Sequence, residues 1–278
     1  MIGALQIGTV PWTNEDMRKS LREFVEVYER RPIRDNSGGM QAPHMFLAWF
    51  VLKTLSPKAI IESGLWLGQG TWLFEQACPA ADLHCIDIDL SRLQYRSNRA
   101  TYYNRDFSTI DWSNVSKNET ALFFDDHQNA YQRVMTAKWF GFSHLLFEDN
   151  YPPSRGDCYS LKKVFAQSGF APTSSGQTSL TSAIKNQLAS LFKPTLPAGA
   201  HIPPNSVDAQ YLRRNIITYH ELPPVFKVDK TRWGDPWDNQ NYPTPTPVLS
   251  SVEEPYQQVF VDEAMSYTWM SYVKMKHG

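Results

Sequence analysis

The sequence has few cysteines, almost no net charge and no long hydrophobic run. Its three cysteines in 278 residues lack metal-ligand spacing, which is typical of a reducing compartment rather than of a disulfide-stabilised secreted protein. The net charge of −1 gives no sign of a surface for nucleic acid or for an anionic membrane. No apolar stretch approaches the length of a membrane span, and the N-terminal residues lack the basic segment of a signal peptide. We therefore expect a cytoplasmic protein with no nucleic-acid or membrane partner.

Two common nucleotide-binding motifs are also absent. The segment from residue 60 to 71 reads IIESGLWLGQGT, in which Gly64, Gly68 and Gly70 follow the acid Glu62. This Gly-x-x-x-Gly-x-Gly spacing is neither the dinucleotide fingerprint nor a phosphate loop. A β-branched run, a turn and a helix start present backbone N–H groups and a helix dipole to an anionic ligand group. The same glycines would also allow a close helix–strand contact with no ligand.

Alternating apolar runs and helical patterns predict a mostly parallel sheet with helices on both faces. The predicted strands are Ala59–Ile61, Leu83–Ile86, Ala121–Phe124, His144–Phe147 and a late strand in Tyr267–Lys276. The first four are followed in turn by predicted helices at Thr71–Gln76, Ser91–Arg99, Asn129–Trp139 and Tyr159–Ala166. Two further helices precede the sheet, the first of them starting at a capping box at Thr13.

We predict one domain in four parts. Residues 1–55 form an N-terminal helical cover, 56–170 the cofactor-binding core, 171–255 an insertion and 256–278 the terminal strands. The insertion stands out because 12 of the 19 prolines lie between Pro172 and Pro255. It includes two segments with helical patterns, Thr178–Lys193 and Ser206–Ile217. It is interpreted as a cap over the carboxyl ends of the strands. The alternative is a surface loop or a dimer arm that would make a homodimer.

Clusters of oxygen ligands follow two of the predicted strands. FFDDHQ ends with Asp125 and Asp126, and LFEDNY ends with Glu148, Asp149 and Asn150. Side-by-side parallel strands would bring these groups together, and converging carboxylates repel one another unless a cation or shared protons neutralise them. Carboxylate and amide oxygens without cysteine favour Mg²⁺, or else Ca²⁺ or Mn²⁺.

The glycine turn resembles motif I of the class I S-adenosylmethionine-dependent methyltransferases. The two strand ends resemble those of the metal-dependent O-methyltransferases, meaning the catechol and caffeoyl-CoA group, the macrocin/mycinamicin sugar enzymes and the cephalosporin-hydroxylase-like proteins. The resemblance covers roughly residues 56 to 170. It implies an α/β, Rossmann-like class I methyltransferase fold with a mostly parallel seven-stranded sheet, and it implies S-adenosylmethionine with Mg²⁺ or another divalent cation.

Carried over residue by residue, the resemblance places Asp125 or Asp126 as the first metal ligand. Asp149, with Asn150 or Glu148, takes the place of the second pair. The sugar enzymes space aspartate and histidine as Asp-x-x-His, whereas this chain has adjacent aspartates followed by histidine, which leaves open which aspartate is the ligand. The implied cofactor contacts are Glu62, Gly64, Trp66, Gly68, Thr71, Asp87, Asp106 and Asp125.

Two of these contacts have local alternatives. Asp87 would accept hydrogen bonds from the ribose hydroxyls, and Asp89 would instead cap the following helix. Asp106 would lie near the adenine amino group, or would cap a turn. The aromatic residues with a proposed lining role are Trp66, Phe107, Tyr151, Trp233 and Trp237.

The resemblance predicts methyl transfer to a hydroxyl of a small molecule, such as a sugar or a phenol. A hydroxyl coordinated to a divalent cation has a lowered pKa, and a neighbouring base removes its proton. His127 is the candidate base and Asp126 its catalytic neighbour, whereas the alternative role for His127 is a helix cap or an orienting partner. Arg133 is expected to be solvated. The rival interpretations are a cephalosporin-hydroxylase-like enzyme and a methyltransferase-fold protein that binds without turnover.

Overall fold

A central sheet of eight strands organises the protein. The computed structural model describes residues 4–171 and 201–276. The strands are β1 (Gln6–Ile7), β2 (Ala59–Ser63), β3 (Asp82–Ile86), β4 (Ala100–Tyr103), β5 (Thr120–Phe124), β6 (His144–Phe147), β7 (Ile216–Glu221) and β8 (Ser271–Met275). The α-helices of the described residues are α1 (Asn14–Tyr28), α2 (Ala42–Leu55), α3 (Gln69–Ala77), α4 (Ala130–Phe140), α5 (Leu161–Phe165), α6 (Val207–Asn215) and α7 (Gln258–Asp262).

The strand order is β1-β7-β8-β6-β5-β2-β3-β4. Strands β2 to β6 run parallel, and β8 lies antiparallel between β6 and β7. Ser63 at the end of β2 is in register with Ile86 of β3 and with Phe124 of β5. The chain moves outward from β2 to β4 and then returns to the other side at β5, so a topological switch point lies between β2 and β5. The predicted Rossmann-like α/β fold with a mostly parallel sheet is confirmed, with eight strands among the described residues in place of the predicted seven.

A hydrophobic cluster covers each face of the sheet, because successive strand residues such as Ile60 and Ile61 point to opposite sides. Helices α1, α2 and α3 cover one face together with residues 222–270. Helices α4, α5 and α6 cover the other face. The region predicted as an N-terminal cover is therefore part of the main core.

The connection between β3 and β4 differs from its prediction. In place of a helix over Ser91–Arg99, there is one 3-10 turn at Leu90–Arg92, capped by Asp89. The backbone N–H groups of Gln94 and Tyr95 then donate to the carbonyl oxygen of Leu67 at 3.0 and 3.1 Å. This tertiary contact with the glycine turn draws the chain out of a helical path before β4.

The predicted insertion contributes a strand to the sheet. Helix α6 ends at Asn215, and the chain continues directly into β7, which pairs with β8. Of the segment predicted to be helical from Ser206 to Ile217, Val207–Asn215 is helix and only the last two residues begin β7. Strand β8 is the strand found within 256–278. The predicted helix at Thr178–Lys193 lies outside the described residues. Among the described residues, no helix combines the length and apolar character needed to cross a membrane.

Candidate active site at the switch point

The glycine turn joins β2 to α3 and lies directly against the strand-end acids. Gly64 has a φ of +95°, and a Cβ atom there would overlap the carbonyl oxygen of Asp125. Gly68 has a φ of +92°, and its Cβ would overlap the carbonyl oxygen of Tyr95. Both positions thus require glycine for conformation and for space. The turn therefore packs against the residue that follows β5 and against the connection between β3 and β4.

Glu62 and Thr71 hold β2 against α3. The Thr71 hydroxyl donates to Glu62 Oε2 at 2.6 Å. Burial raises the pKa of Glu62 to about 8, although the Thr71 hydrogen bond lowers it. A Cβ atom on Gly70 would overlap Glu62 Oε1, so the third glycine of the motif leaves room for this carboxyl group. The structure explains both residues by packing, and their predicted contact with a cofactor stays a prediction.

Asp87 lies at the carboxyl end of β3, next to the glycine turn. Its carboxylate accepts hydrogen bonds from the backbone N–H groups of Leu65 and Asp89, both at 2.9 Å. Asp89 caps the 3-10 turn by accepting from the N–H of Ser91 at 3.1 Å. Asp89 is therefore the cap, whereas the predicted contact of Asp87 with a ribose stays a prediction.

Asp106 and Asp126 share a buried arginine. Arg133 Nη2 lies 2.8 Å from Asp106 Oδ2 and 2.7 Å from Asp126 Oδ2. Burial raises the pKa of Asp106, but the hydrogen bonds and charge of Arg133, together with the hydrogen bonds from Ser108, outweigh it and lower the pKa to about 2. Arg133 was predicted to be solvated, but it is buried. It bridges Asp106, which follows β4, and Asp126, which follows β5. Asp106 also caps a 3-10 turn, accepting from the N–H of Ser108 at 2.9 Å.

Asp125, His127 and Asp149 form a group that can hold a metal ion. One potential ligand atom from each lies within 4.8 Å of the others. Nδ1 of His127 is 3.2 Å from Asp149 Oδ2 and 3.1 Å from Asp157 Oδ1. Asp149 Oδ2 is buried and accepts no hydrogen bond of good geometry from any described residue. A buried carboxylate oxygen without a donor fits a cation ligand, and two carboxylates with one imidazole suit a divalent ion of the Mn²⁺ type as well as Mg²⁺.

The charges of this group depend on one another. Hydrogen bonding to Asp157, with the charge of Asp149, raises the pKa of His127 to about 10 despite partial burial. Burial and the charges of Glu148 and Asp149 raise the pKa of Asp125 well above its ordinary value. In the metal-free protein His127 is therefore an imidazolium that offsets the carboxylates, and an imidazolium cannot act as a base.

Three of the predicted ligands have other partners, although Glu148 stays close enough for its charge to raise the pKa of Asp125. Asp126 is turned toward Arg133 and accepts a hydrogen bond from the Ser63 hydroxyl at 2.7 Å. Asn150 accepts from the N–H of Lys162 and donates to the Tyr219 hydroxyl, both at 2.8 Å, so its amide caps α5. Glu148 contacts Nδ1 of His44. The structure thus groups Asp125, rather than Asp126, with Asp149.

His44 was not singled out by the sequence analysis. It is buried in α2, and its Nε2 accepts the backbone N–H of Thr268 at 2.8 Å. A neutral imidazole carries one proton, so that proton is on Nδ1 and is donated to Glu148. Burial lowers the pKa of His44 to about 3, which agrees with the neutral form. The available signal was a lone histidine in an otherwise apolar helix, which does not reveal a partner 104 residues away.

Two buried amides at the glycine turn lack one partner each. Gln69 Oε1 accepts the N–H of Ile33 at 3.2 Å, and Asn36 Nδ2 donates to the carbonyl of Met40 at 3.0 Å. These bonds define which way each amide points. Gln69 Nε2 and Asn36 Oδ1 are then left without a hydrogen-bond partner among the described residues. The loop at residues 33–41 therefore meets the glycine turn at one hydrogen-bond donor and one acceptor that have no partner among the described residues.

Of the predicted aromatic residues, Trp66, Tyr151 and Trp233 lie near these groups. Trp66 Nε1 donates to the carbonyl of Ser37 at 3.2 Å, so the indole holds the 33–41 loop against the turn. The Trp233 and Tyr151 rings are 6.1 Å apart between centroids. Phe107 is instead fully buried in the core beneath α4, and Trp237 is buried against Tyr267.

Comparisons with known proteins give low similarity. No family model matches the sequence, and no curated protein matches it. Among solved structures, a Podospora anserina methyltransferase bound to S-adenosylhomocysteine is similar at 13% identity over 51% of this chain and 73% of that one, with a TM-score of 0.36. The tomaymycin-synthesis O-methyltransferase of Streptomyces achromogenes, in complex with S-adenosylmethionine, gives 14% identity over 51% and 67%, with a TM-score of 0.35. The plantazolicin methyltransferase gives 14% identity over 95% and 96%, with a TM-score of 0.39. Similarity at this level carries no substrate or mechanism to this chain.

Proposed function

We propose that the protein is an S-adenosylmethionine-dependent O-methyltransferase that acts on a small-molecule hydroxyl with the help of a divalent cation. One observation carries the proposal: the backbone of the glycine turn touches Asp125, so the predicted donor site and the acid–histidine group share one edge of the sheet. Methyl transfer needs a donor and an acceptor oxygen held in line at short distance, which this arrangement supports. The near-zero net charge favours a small molecule over nucleic acid.

On the donor side, the chain offers an acid and two amides. Asp87 is partly exposed beside the turn, where its carboxylate can accept hydrogen bonds from a ribose. Gln69 is the first residue of α3, where the helix dipole favours an anion such as the donor's carboxylate. The free acceptor oxygen of Asn36 is complementary to the donor's ammonium group.

On the acceptor side, Asp125, His127 and Asp149 would hold the cation. When bound, the cation would lower the pKa of a coordinated hydroxyl. Asp157 would orient His127 through its hydrogen bond to Nδ1. A histidine that binds the cation and is hydrogen-bonded to Asp157 has no nitrogen free to accept a proton, so the predicted role of His127 as the base stays a separate prediction.

A binding protein without turnover is the second candidate, and the protonation of His127 favours it. An imidazolium that already offsets the carboxylates removes the need for a cation in the group. The two candidates differ in whether the group binds metal.

The test is calorimetry with Mn²⁺ and with S-adenosylhomocysteine on the wild type and on Asp149→Asn. We expect both ligands to bind the wild type, and we expect the variant to lose Mn²⁺ binding while its affinity for S-adenosylhomocysteine stays within a few fold. Asp111→Asn, an exposed acid away from the group, is the control. A wild type that binds S-adenosylhomocysteine but does not bind Mn²⁺ would favour the second candidate. Tight NADH binding with no S-adenosylhomocysteine binding would overturn both.

A further inference from the structure

A β-hairpin spanning residues 229–237 projects Arg232 and Trp233 at its tip. The N–H of Trp237 donates to the carbonyl of Asp229 at 2.8 Å, and the N–H of Thr231 donates to the carbonyl of Asp235 at 2.9 Å. A further bond of 2.9 Å, from the N–H of Gly234 to the carbonyl of Thr231, closes the turn. Arg232 and Trp233 are therefore the two central residues of a β-turn.

The hairpin is anchored to the loop that orients His127. The Asp235 carboxylate accepts the Tyr242 hydroxyl at 2.7 Å and pairs with Arg155. Arg155 is two residues before Asp157, which contacts His127. A chain of side-chain contacts thus runs from the acid–histidine group to the base of the hairpin.

Arg232 has a charge that no described residue pairs. Its side chain is exposed and makes no hydrogen bond or ion pair with any residue in 4–171 or 201–276. The guanidinium carbon lies 5.9 Å from the centroid of the Tyr151 ring, and Tyr151 directly follows the Glu148-Asp149-Asn150 segment. Trp233, partly exposed, packs edge-on against the same ring at an angle of 61°. A free cation and an aromatic ring therefore border the candidate metal group.

We propose that Arg232 selects the acceptor, and that the acceptor is a hydroxyl compound carrying a carboxylate or another anionic group. The inference rests on the proposed function. A guanidinium presents a planar set of donors that matches a carboxylate or a phosphate. Glu148 and Asp149, which precede Tyr151 in the chain, would repel an anionic acceptor. The positive charge of Arg232 would offset this repulsion.

The competing role for Arg232 is to offset the charge of Glu148. Burial raises the pKa of Glu148, and the positive charge of Arg232 opposes that rise. If this were its only role, removing the charge would weaken Mn²⁺ binding or stability and would leave acceptor preference unchanged.

The experiment compares two probes that differ in one charge, 3,4-dihydroxybenzoate and 3,4-dihydroxybenzamide. Their affinities are measured by calorimetry on protein saturated with S-adenosylhomocysteine and Mn²⁺, for the wild type, Arg232→Gln and the control Arg214→Gln. Arg214 is an exposed arginine on α6, so its loss removes the same net charge elsewhere. We expect the wild type and the control to prefer the benzoate by about tenfold, and Arg232→Gln to bind both probes equally weakly.

Trp233→Leu tests the packing that supports the hairpin, because the indole stacks on Trp269 and Tyr242. It should weaken the binding of both probes by a similar factor and leave the preference for the charged one. A wild type that binds neither probe, or binds both alike, would overturn the proposal, as would a preference that survives in Arg232→Gln. Failure of the proposed function is distinguishable, because it would appear first as absent S-adenosylhomocysteine binding in the titration without a probe.

Discussion

Gly64 is the residue whose replacement the structure resists most directly. Alanine there must adopt a φ of +95° and must overlap the backbone carbonyl of Asp125, which cannot rotate away as a side chain would. We expect Gly64→Ala to lower the free energy of unfolding by about 3 kcal/mol or more, from backbone strain and steric overlap together. Urea titration followed by circular dichroism measures the loss.

Gly234 is the matched control for this prediction. Its φ is +82°, but no atom lies within 4 Å of the Cβ position. Gly234→Ala should therefore cost about 1 kcal/mol, from the left-handed backbone alone. Equal losses in the two variants would show that the close approach to Asp125 is absent in solution.

At the scale of elements, Arg133 attaches α4 to the 3-10 turn after β4 through Asp106. The pKa of Asp106 falls from 3.8 to about 2 on folding, which corresponds to about 2 kcal/mol of stability for this largely buried carboxylate. Because the pKa is lowered, this stability is present above pH 4 and is lost as the pH falls through 2. Asp106→Asn should lower the free energy of unfolding by that amount at pH 7.

The pH dependence gives this prediction its control. The difference between the wild type and Asp106→Asn, measured by urea titration, should shrink from pH 4 downward and vanish near pH 2. Asp111→Asn removes an exposed aspartate that caps Ser113 in a similar local turn, without a buried arginine. A difference that stays constant across this pH range would contradict the Arg133 pairing.

Elements were predictable where their pattern is local, and not where a distant contact decides. The signals for the capping box at Thr13, the apolar run of β5 and the helix predicted from Asn129 all lie within their own segments. The helix predicted over Ser91–Arg99 did not form because Leu67, from another turn, takes its backbone donors. Strand β7 was missed because it directly continues α6, and its pairing with β8 joins residues some fifty positions apart.

At the scale of the whole molecule, the N-terminal helices and the chain between β7 and β8 share one core. The Phe24 ring packs against Phe46 and Phe260 at centroid distances of 5.4 and 5.9 Å. Phe24→Ala should lower the free energy of unfolding by about 3 to 5 kcal/mol, because it leaves a cavity at this junction. Tryptophan fluorescence and far-ultraviolet circular dichroism should report one coincident transition.

Val252→Ala is the control for Phe24→Ala, because Val252 is 40% exposed. It should change the free energy of unfolding by less than about 0.5 kcal/mol. If the two probes gave separate transitions for Phe24→Ala, residues 1–55 would fold separately from the rest of the chain. The structure instead predicts one cooperative unit.

The sequence by itself determined the parallel sheet, the glycine turn and the acids at the strand ends, because these follow from the side-chain period and the backbone needs of neighbouring residues. The tertiary structure decided which acids meet. Asp126 and Asn150 follow strands just as Asp125 and Asp149 do. However, Asp126 pairs with Arg133 and Asn150 donates to the Tyr219 hydroxyl. A side chain's direction depends on the partners that packing brings to it, and those partners lie far away in the chain.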